Sequence, residues 1–263
     1  MIMRLLPALG SEPERYDAHL VRQVILAETK RASIAYVKTM AIALRGYLRF
    51  LGASGLCQPG LDQAVPIIPQ WRLSALPRYI DAADVERLIT SCDPAIPIGV
   101  RDQAILILLA RLGLRAGDIV ALRLEDVDWQ QATICVCGKS RRETRLPLPQ
   151  DAGDAVLAYL DHSRPRAACD RLFLAAKAPF RPLHRSTVSS VVRRALDRTA
   201  IDAPSKDTNL LRHSAATAML RGGATLDMVG AVLRHRSPDM TAHYAKVDIL
   251  TLQQIAQPWP GGA

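Results

Sequence analysis

Residues 234–246, RHRSPDMTAHYAK, set His235 and Tyr244 nine residues apart, with a Ser-Pro helix start between them and Lys246 after the tyrosine. A tyrosine hydroxyl ordinarily titrates near ~10, so it attacks at neutral pH only where positive charge favours its anion. Whether Tyr244 is such a group or an ordinary half-buried aromatic depends on what other segments bring to it. In ARLGLRAGDIVALRLEDVDW (110–129), Arg115 follows a Gly113-Leu114 helix break, where free backbone amides make a natural anion site. Asp118 lies three residues on, placed to orient that arginine. Lys139 sits in the turn CGKSRR, where a lysine is usually solvated; one held beside arginines would have its ammonium form disfavoured and become a better proton donor near neutral pH. In DTNLLRHSAATAML (207–220), Arg212 and His213 open an amphipathic helix whose Leu210, Leu211, Ala215, Ala218 and Met219 are expected to face inward, and a buried arginine there calls for an anion. Taken singly, each is an ordinary exposed arginine, solvated lysine or core aromatic. Together they are the groups that handle a phosphodiester, since guanidinium forks match phosphate oxygens.

The rest of the composition narrows the setting. The chain has 263 residues, 49% of them hydrophobic, enough for one large or two smaller packed domains. Its 34 Lys and Arg against 25 Asp and Glu give a net charge of +9, which favours a polyanionic partner such as nucleic acid. Five cysteines without pairing logic suggest reduced thiols inside the cell. Cys135 and Cys137 should share one side of a strand, where core packing is the simpler reading because no second ligand pair accompanies them; no metal site is assigned. The opening MIMRLLPALG is broken at Pro7 and reads as neither membrane span nor signal peptide, so a cytoplasmic location is expected.

Elements that could position the chemical groups follow from periodicity. The stretch 58–77, with four prolines, reads as a linker (58–76) between a helical part at 1–57 and a larger part at 77–263. In the first part Ile34, Val37, Ala41, Leu44, Leu48 and Leu51 recur at helical spacing; Lys38, Arg45 and Arg49 form either a phosphate-facing stripe or a solvated face. In the second, helices are expected near 81–91, 98–112, 115–123, 150–162, 184–200, 209–221, 225–233, 238–245 and 248–256. A β-hairpin is expected from ATICV and ETRLPLP around the Lys139 turn. Trp71 and Trp129 read as core anchors. The expected fold class is mainly α with a small antiparallel β-hairpin sheet.

The order Arg-x-x-acid, hairpin lysine, Arg-His helix start, histidine, then tyrosine nine residues on resembles the tyrosine recombinase (phage integrase) family. The resemblance runs through ARLGLRAGDIVALRLEDVDW and LLRHSAATAMLRGGATLDMVGAVLRHRSPDMTAHYAKVD, over roughly 77–258. It implies that Tyr244 attacks a DNA phosphate to give a 3'-phosphotyrosyl bond, that Arg115 and Arg212 hold the nonbridging oxygens, and that Lys139 protonates the departing 5'-oxygen. His235 would contact the phosphate or position the tyrosine, with Asp118 in support. It further implies a helical core-binding clamp at 1–57, either full or abbreviated, double-stranded DNA as partner, no metal or ATP, and a homo-tetramer joined by exchange of 246–263, where Ile249, Leu252 and Ile255 give an apolar face. Two positions depart from the pattern: Asn209 stands where a histidine is usual, and Arg234 where glycine is common before the later histidine. An amide can donate to phosphate but cannot relay protons as imidazole does. His213 is read as structural. A type IB topoisomerase-like enzyme, a catalytically weakened or silent DNA-binding relative, and a helix-turn-helix regulator reading DNA through 225–233 are the alternatives.

Overall fold

Asp17 and Ser33 each end extended backbone with a side-chain oxygen that takes up an amide of the following turn, from Leu20 at 2.7 Å and Tyr36 at 3.4 Å. The two long helices of the N-terminal part begin there. In the computed structural model, residues 2–69, 77–137 and 143–247 are described, and the chain divides into Met1–Ser74 and Ala75–Ala263.

The first unit holds α1 (Leu6–Leu9), α2 (Ala18–Thr29) and α3 (Ile34–Ala53). The apolar stripe of α3 faces inward through Val37, Met40, Ala41, Leu44, Leu48 and Leu51. Ile34 is the exception: in the first turn, beyond the reach of the core, it is 59% exposed. The proline-rich stretch folds back on this unit. Leu61–Ala64 forms a 3₁₀ turn, and Leu61 and Val65 join the core. Arg45 donates to the carbonyls of Val65 and Pro66 at 3.1 and 3.0 Å, while Arg49 pairs with Asp62 at 2.7 Å. Two of the three cations of the expected phosphate-facing stripe thus tie this segment to α3. The remainder of the stretch, 70–76 with Trp71, lies outside the described residues.

The second unit is built round α5 (Pro97–Leu112), which is apolar on nearly all sides and so must lie in the interior. It packs against α4 (Ala82–Thr90), α7 (Gln150–His162), α8 (Arg185–Thr199) and α9 (Thr208–Arg221). Its two buried charges are matched: Asp102 takes Arg101 at 2.7 Å and Arg194 of α8 at 2.8 Å, and Arg101 also donates to the Leu174 carbonyl. Removing one partner of such a set typically costs about 3–5 kcal/mol.

Strands β1 (Val127–Asp128), β2 (Thr133–Cys137) and β3 (Glu143–Pro147) form an antiparallel sheet in the order β1-β2-β3. The expected hairpin is its β2-β3 part, with Thr133 opposite Pro147 and Cys137 opposite Glu143; the two-residue β1 is the strand that spacing did not reveal. Ile134 and Val136 take the inner face, so Cys135 and Cys137 share the outer one and are not core residues. Trp129, expected as a core anchor, falls in the turn after β1 and is 46% exposed.

Gly113 ends α5 in the left-handed region at φ +56°, and a Cβ there would meet the Leu233 side chain at 2.5 Å. Glycine takes this turn without strain and leaves room for the Leu233 side chain of the segment that carries His235. Leu114 then enters the core, and Arg115 becomes the residue that starts α6 (Ala116–Ala121). The final elements are α10 (Leu226–Val232), started by Thr225, then α11 (Pro238–Ala242) and a 3₁₀ turn over His243–Val247. The continuous helix expected at 238–245 is therefore split. On α9, Leu220 rather than Ala218 faces inward, because Ala218 is on the exposed side. Among the described residues no helix is long and apolar enough to cross a membrane.

Candidate active site

Arg212, 5% exposed in the first turns of α9, is the hub of the site. One terminal nitrogen donates to the Gly113 carbonyl and the other to the Leu233 carbonyl. A single planar guanidinium thus joins the turn that leads to Arg115 and the turn that leads to His235. Burial, and then the neighbouring Arg115, push Arg212 down to about 10, with Tyr244 and Asp118 opposing; it is still a cation at neutral pH. Arg115, half-buried, is lowered by burial and by Arg234 and Arg236. Both arginines lie within a field that an anion would relieve.

Tyr244 is 2% exposed in a small apolar cluster with Ala216, Leu220, Val229, Leu233 and Val247. Its hydroxyl lies 2.7 Å from His213 Nδ1. Burial raises the tyrosine above its ordinary value, and Arg212 and Arg115 pull the other way. Burial lowers His213, helped by His243 and Arg212, so at neutral pH its uncharged ring can accept the tyrosine proton. His235 lies nearly parallel to the Tyr244 ring, 6.2 Å between centroids and 5° between planes, with Nδ1 2.7 Å from the Thr241 hydroxyl. α10 and α11 approach closely enough for this contact because residue 230 is glycine, where a Cβ would stand 2.9 Å from Thr241 Oγ1. Burial first, then Arg212 and Arg115, push His235 down to about 4. The His235 edge opens on a cleft of about 330 Å³ shared with Leu226, Arg236 and Ala242.

These histidines bear on stability against acid. His235 is uncharged when folded and titrates near its ordinary 6.5 when unfolded, so the unfolded chain binds more protons between those values. Stability is therefore expected to fall as pH drops from about 6.5 towards about 4. The melting temperature of wild type should lose ground across that window relative to His235→Asn, which cannot titrate; parallel curves would refute the shift.

Asp118 behaves differently from the sequence expectation. Its carboxylate accepts the backbone N–H of Arg115 at 2.8 Å and forms an ion pair with Arg234, a residue far along the chain. It holds the backbone that carries Arg115 and is not hydrogen-bonded to its guanidinium.

Of the residues singled out by spacing, the structure brings Arg115, Asp118, Arg212, His235 and Tyr244 into one cluster. Asn209 is exposed on the first turn of α9, with its N–H on Asp207 at 2.7 Å. Lys139 and the tail 248–263 lie outside the described residues. Lys38, Arg45 and Arg49 belong to the first unit. Sequence reasoning did not anticipate the contact of His213 with Tyr244, that of Thr241 with His235, or the Arg234–Asp118 pair. The one available signal for His213 was its place beside Arg212.

The profile of the phage integrase family matches residues 78–249. A Sinorhizobium fredii protein designated integrase/recombinase y4rA is 46% identical over 244 residues, covering 92% of this chain and 59% of its own. The tyrosine recombinase XerD of Listeria innocua is 29% identical, covering 92% of this chain and 81% of its own. The chain spans about three fifths of the length of the first two curated relatives it matches. Among solved structures, the XerH site-specific recombinase in its post-cleavage complex with difH superposes with a TM-score of 0.77 at 19% identity, covering 94% of this chain and 73% of that one. A lambda integrase (75–356) dimer bound to a COC' core site gives 0.72 at 15%, covering 98% and 86%. These two likenesses are of fold.

Proposed function

The chain belongs to the phage integrase family, and on that premise we propose that it is a site-specific recombinase that breaks and rejoins double-stranded DNA through a tyrosine-linked intermediate. The observation that carries this reading is the Tyr244 hydroxyl, 2.7 Å from His213 Nδ1 and in one cluster with His235, Arg115 and Arg212. The Tyr244 oxygen attacks phosphorus and gives its proton to His213; the P–O5' bond breaks. The 3'-phosphate remains on the tyrosine, and the 5'-oxygen takes a proton from Lys139. Arg115 and Arg212 offset the charge that builds on the nonbridging oxygens. His235 orients the tyrosine ring and the phosphate. Because the phosphotyrosyl bond keeps the energy of the broken strand, rejoining is the same step in reverse and needs no ATP.

The first unit serves in this reading as a helical DNA clamp, with Lys38 free of the internal tethers that hold Arg45 and Arg49. Of the segment 246–263, Val247 packs in this chain's own Tyr244 cluster; in this reading the part beyond it passes to a neighbouring protomer, and the working form is a tetramer on two duplexes. A second reading, binding without cleavage, is favoured by Asn209, an exposed amide where the family usually has imidazole.

The test uses nicked DNA substrates tiled across the sequences flanking the gene, on which cleavage cannot be reversed. A denaturation-resistant protein–DNA band whose tryptic peptide carries the nucleotide on Tyr244 is expected. Binding without any such band leaves the second reading, and attachment at another residue overturns the first.

A further inference from the structure

Arg234 stands where the family pattern has glycine, and it carries two costs. Its backbone lies in the left-handed region at φ +54°, which is unfavourable for a residue with a Cβ. Its side chain is 9% exposed, and although one terminal nitrogen pairs with Asp118, Nε and Nη1 are buried with no hydrogen-bond partner among the described residues. Buried donors left unpaired are destabilising, and more so on a cation. The pair with Asp118 does not discharge the region, because Arg234 still adds to the positive field at both Arg115 and Arg212. Three guanidinium groups against one carboxylate leave a surplus that a glycine would avoid.

We propose that Arg234 is a third phosphate-binding guanidinium of this site, its unpaired N–H groups donating to an anionic oxygen of the DNA phosphodiester held by Arg115 and Arg212. This rests on the DNA-cleaving reading of the same cluster. Asp118 holds Arg234 by one terminal nitrogen, leaving the other donors for the ligand, and through the Arg115 N–H it sets both arginines on one anchor. The competing account is that Arg234 only neutralises Asp118.

Comparison of Asp118→Asn with the double variant Asp118→Asn/Arg234→Gly separates the two. Asparagine keeps an oxygen for the Arg115 N–H and removes the charge to be neutralised; glycine relaxes the backbone. If Arg234 binds phosphate, the double variant should cleave a nicked DNA substrate on the order of 100-fold more slowly than Asp118→Asn at saturating DNA. If it only neutralises, the two should cleave equally, which overturns the proposal. A second measurement does not depend on cleavage: inorganic phosphate should raise the melting temperature of wild type and of Asp118→Asn by mass action, and the rise should be clearly smaller in the double variant, where only Arg115 and Arg212 remain. An equal rise in all three overturns the proposal. Failure of wild type to form any covalent adduct would sink the recombinase reading alone, and the phosphate titration would then decide on Arg234.

Discussion

Tyr244→Phe is expected to abolish the covalent protein–DNA band completely while DNA affinity stays within about twofold of wild type. The ring is held by Ala216, Leu220, Val229, Leu233 and Val247, and phenylalanine keeps all of that packing. What it loses is one oxygen, the one 2.7 Å from His213. The stability cost is that of a single polar contact, about 1 kcal/mol. Binding energy is spread over many phosphate contacts, whereas the new P–O bond needs that atom alone. Gel shift and denaturing gel on one set of samples check both halves; a residual adduct in the variant would place the nucleophile elsewhere.

Arg212→Ala should do harm in two ways at once. As a transition-state group, its loss should slow cleavage by at least about 10²–10³-fold. As a buried brace it leaves the Gly113 and Leu233 carbonyls without their donor, at about 1–3 kcal/mol each. For a unit of this size each kcal/mol lowers the melting temperature by roughly 2–4 °C, so a drop of several degrees is expected. Arg115→Ala provides the control. Its half-buried guanidinium does not bridge two carbonyls, so it should lose cleavage comparably with a much smaller fall in melting temperature. Equal falls would mean that the Arg212 bridge contributes little to the fold. Arg212→Lys should not rescue, because one ammonium cannot span both carbonyls and a phosphate.

The parts that could be read from the sequence share a physical reason. Helices α3, α7 and α8 announce themselves because burial repeats at the helical period, α5 because a long apolar run ends at Gly113, and the arginine and tyrosine segments carry side chains in a fixed order. Contacts across the chain leave no such mark. Asp118 meets Arg234 over a separation of 116 residues, and nothing in either segment names the other. The alternation in TICVC says that Cys135 and Cys137 share a side; only the apolar Ile134 and Val136 on the other side decide which face is inner. The departure at Arg234 was visible as a letter, but its left-handed backbone and its two open nitrogens became apparent only in three dimensions.

The apolar cluster round Tyr244 is separate from the large core organised by α5. Six buried side chains make a small cooperative unit, and such units open at a lower free energy than the domain that bears them. Amide exchange over 226–247 should accordingly run ahead of that in α5, and the reactive oxygen can be withdrawn or presented at the expense of a sub-global opening. On the proposed reading, chemistry is thereby uncoupled from survival of the fold: a change that loosens the last turns is expected to silence cleavage while the α5 core stays folded.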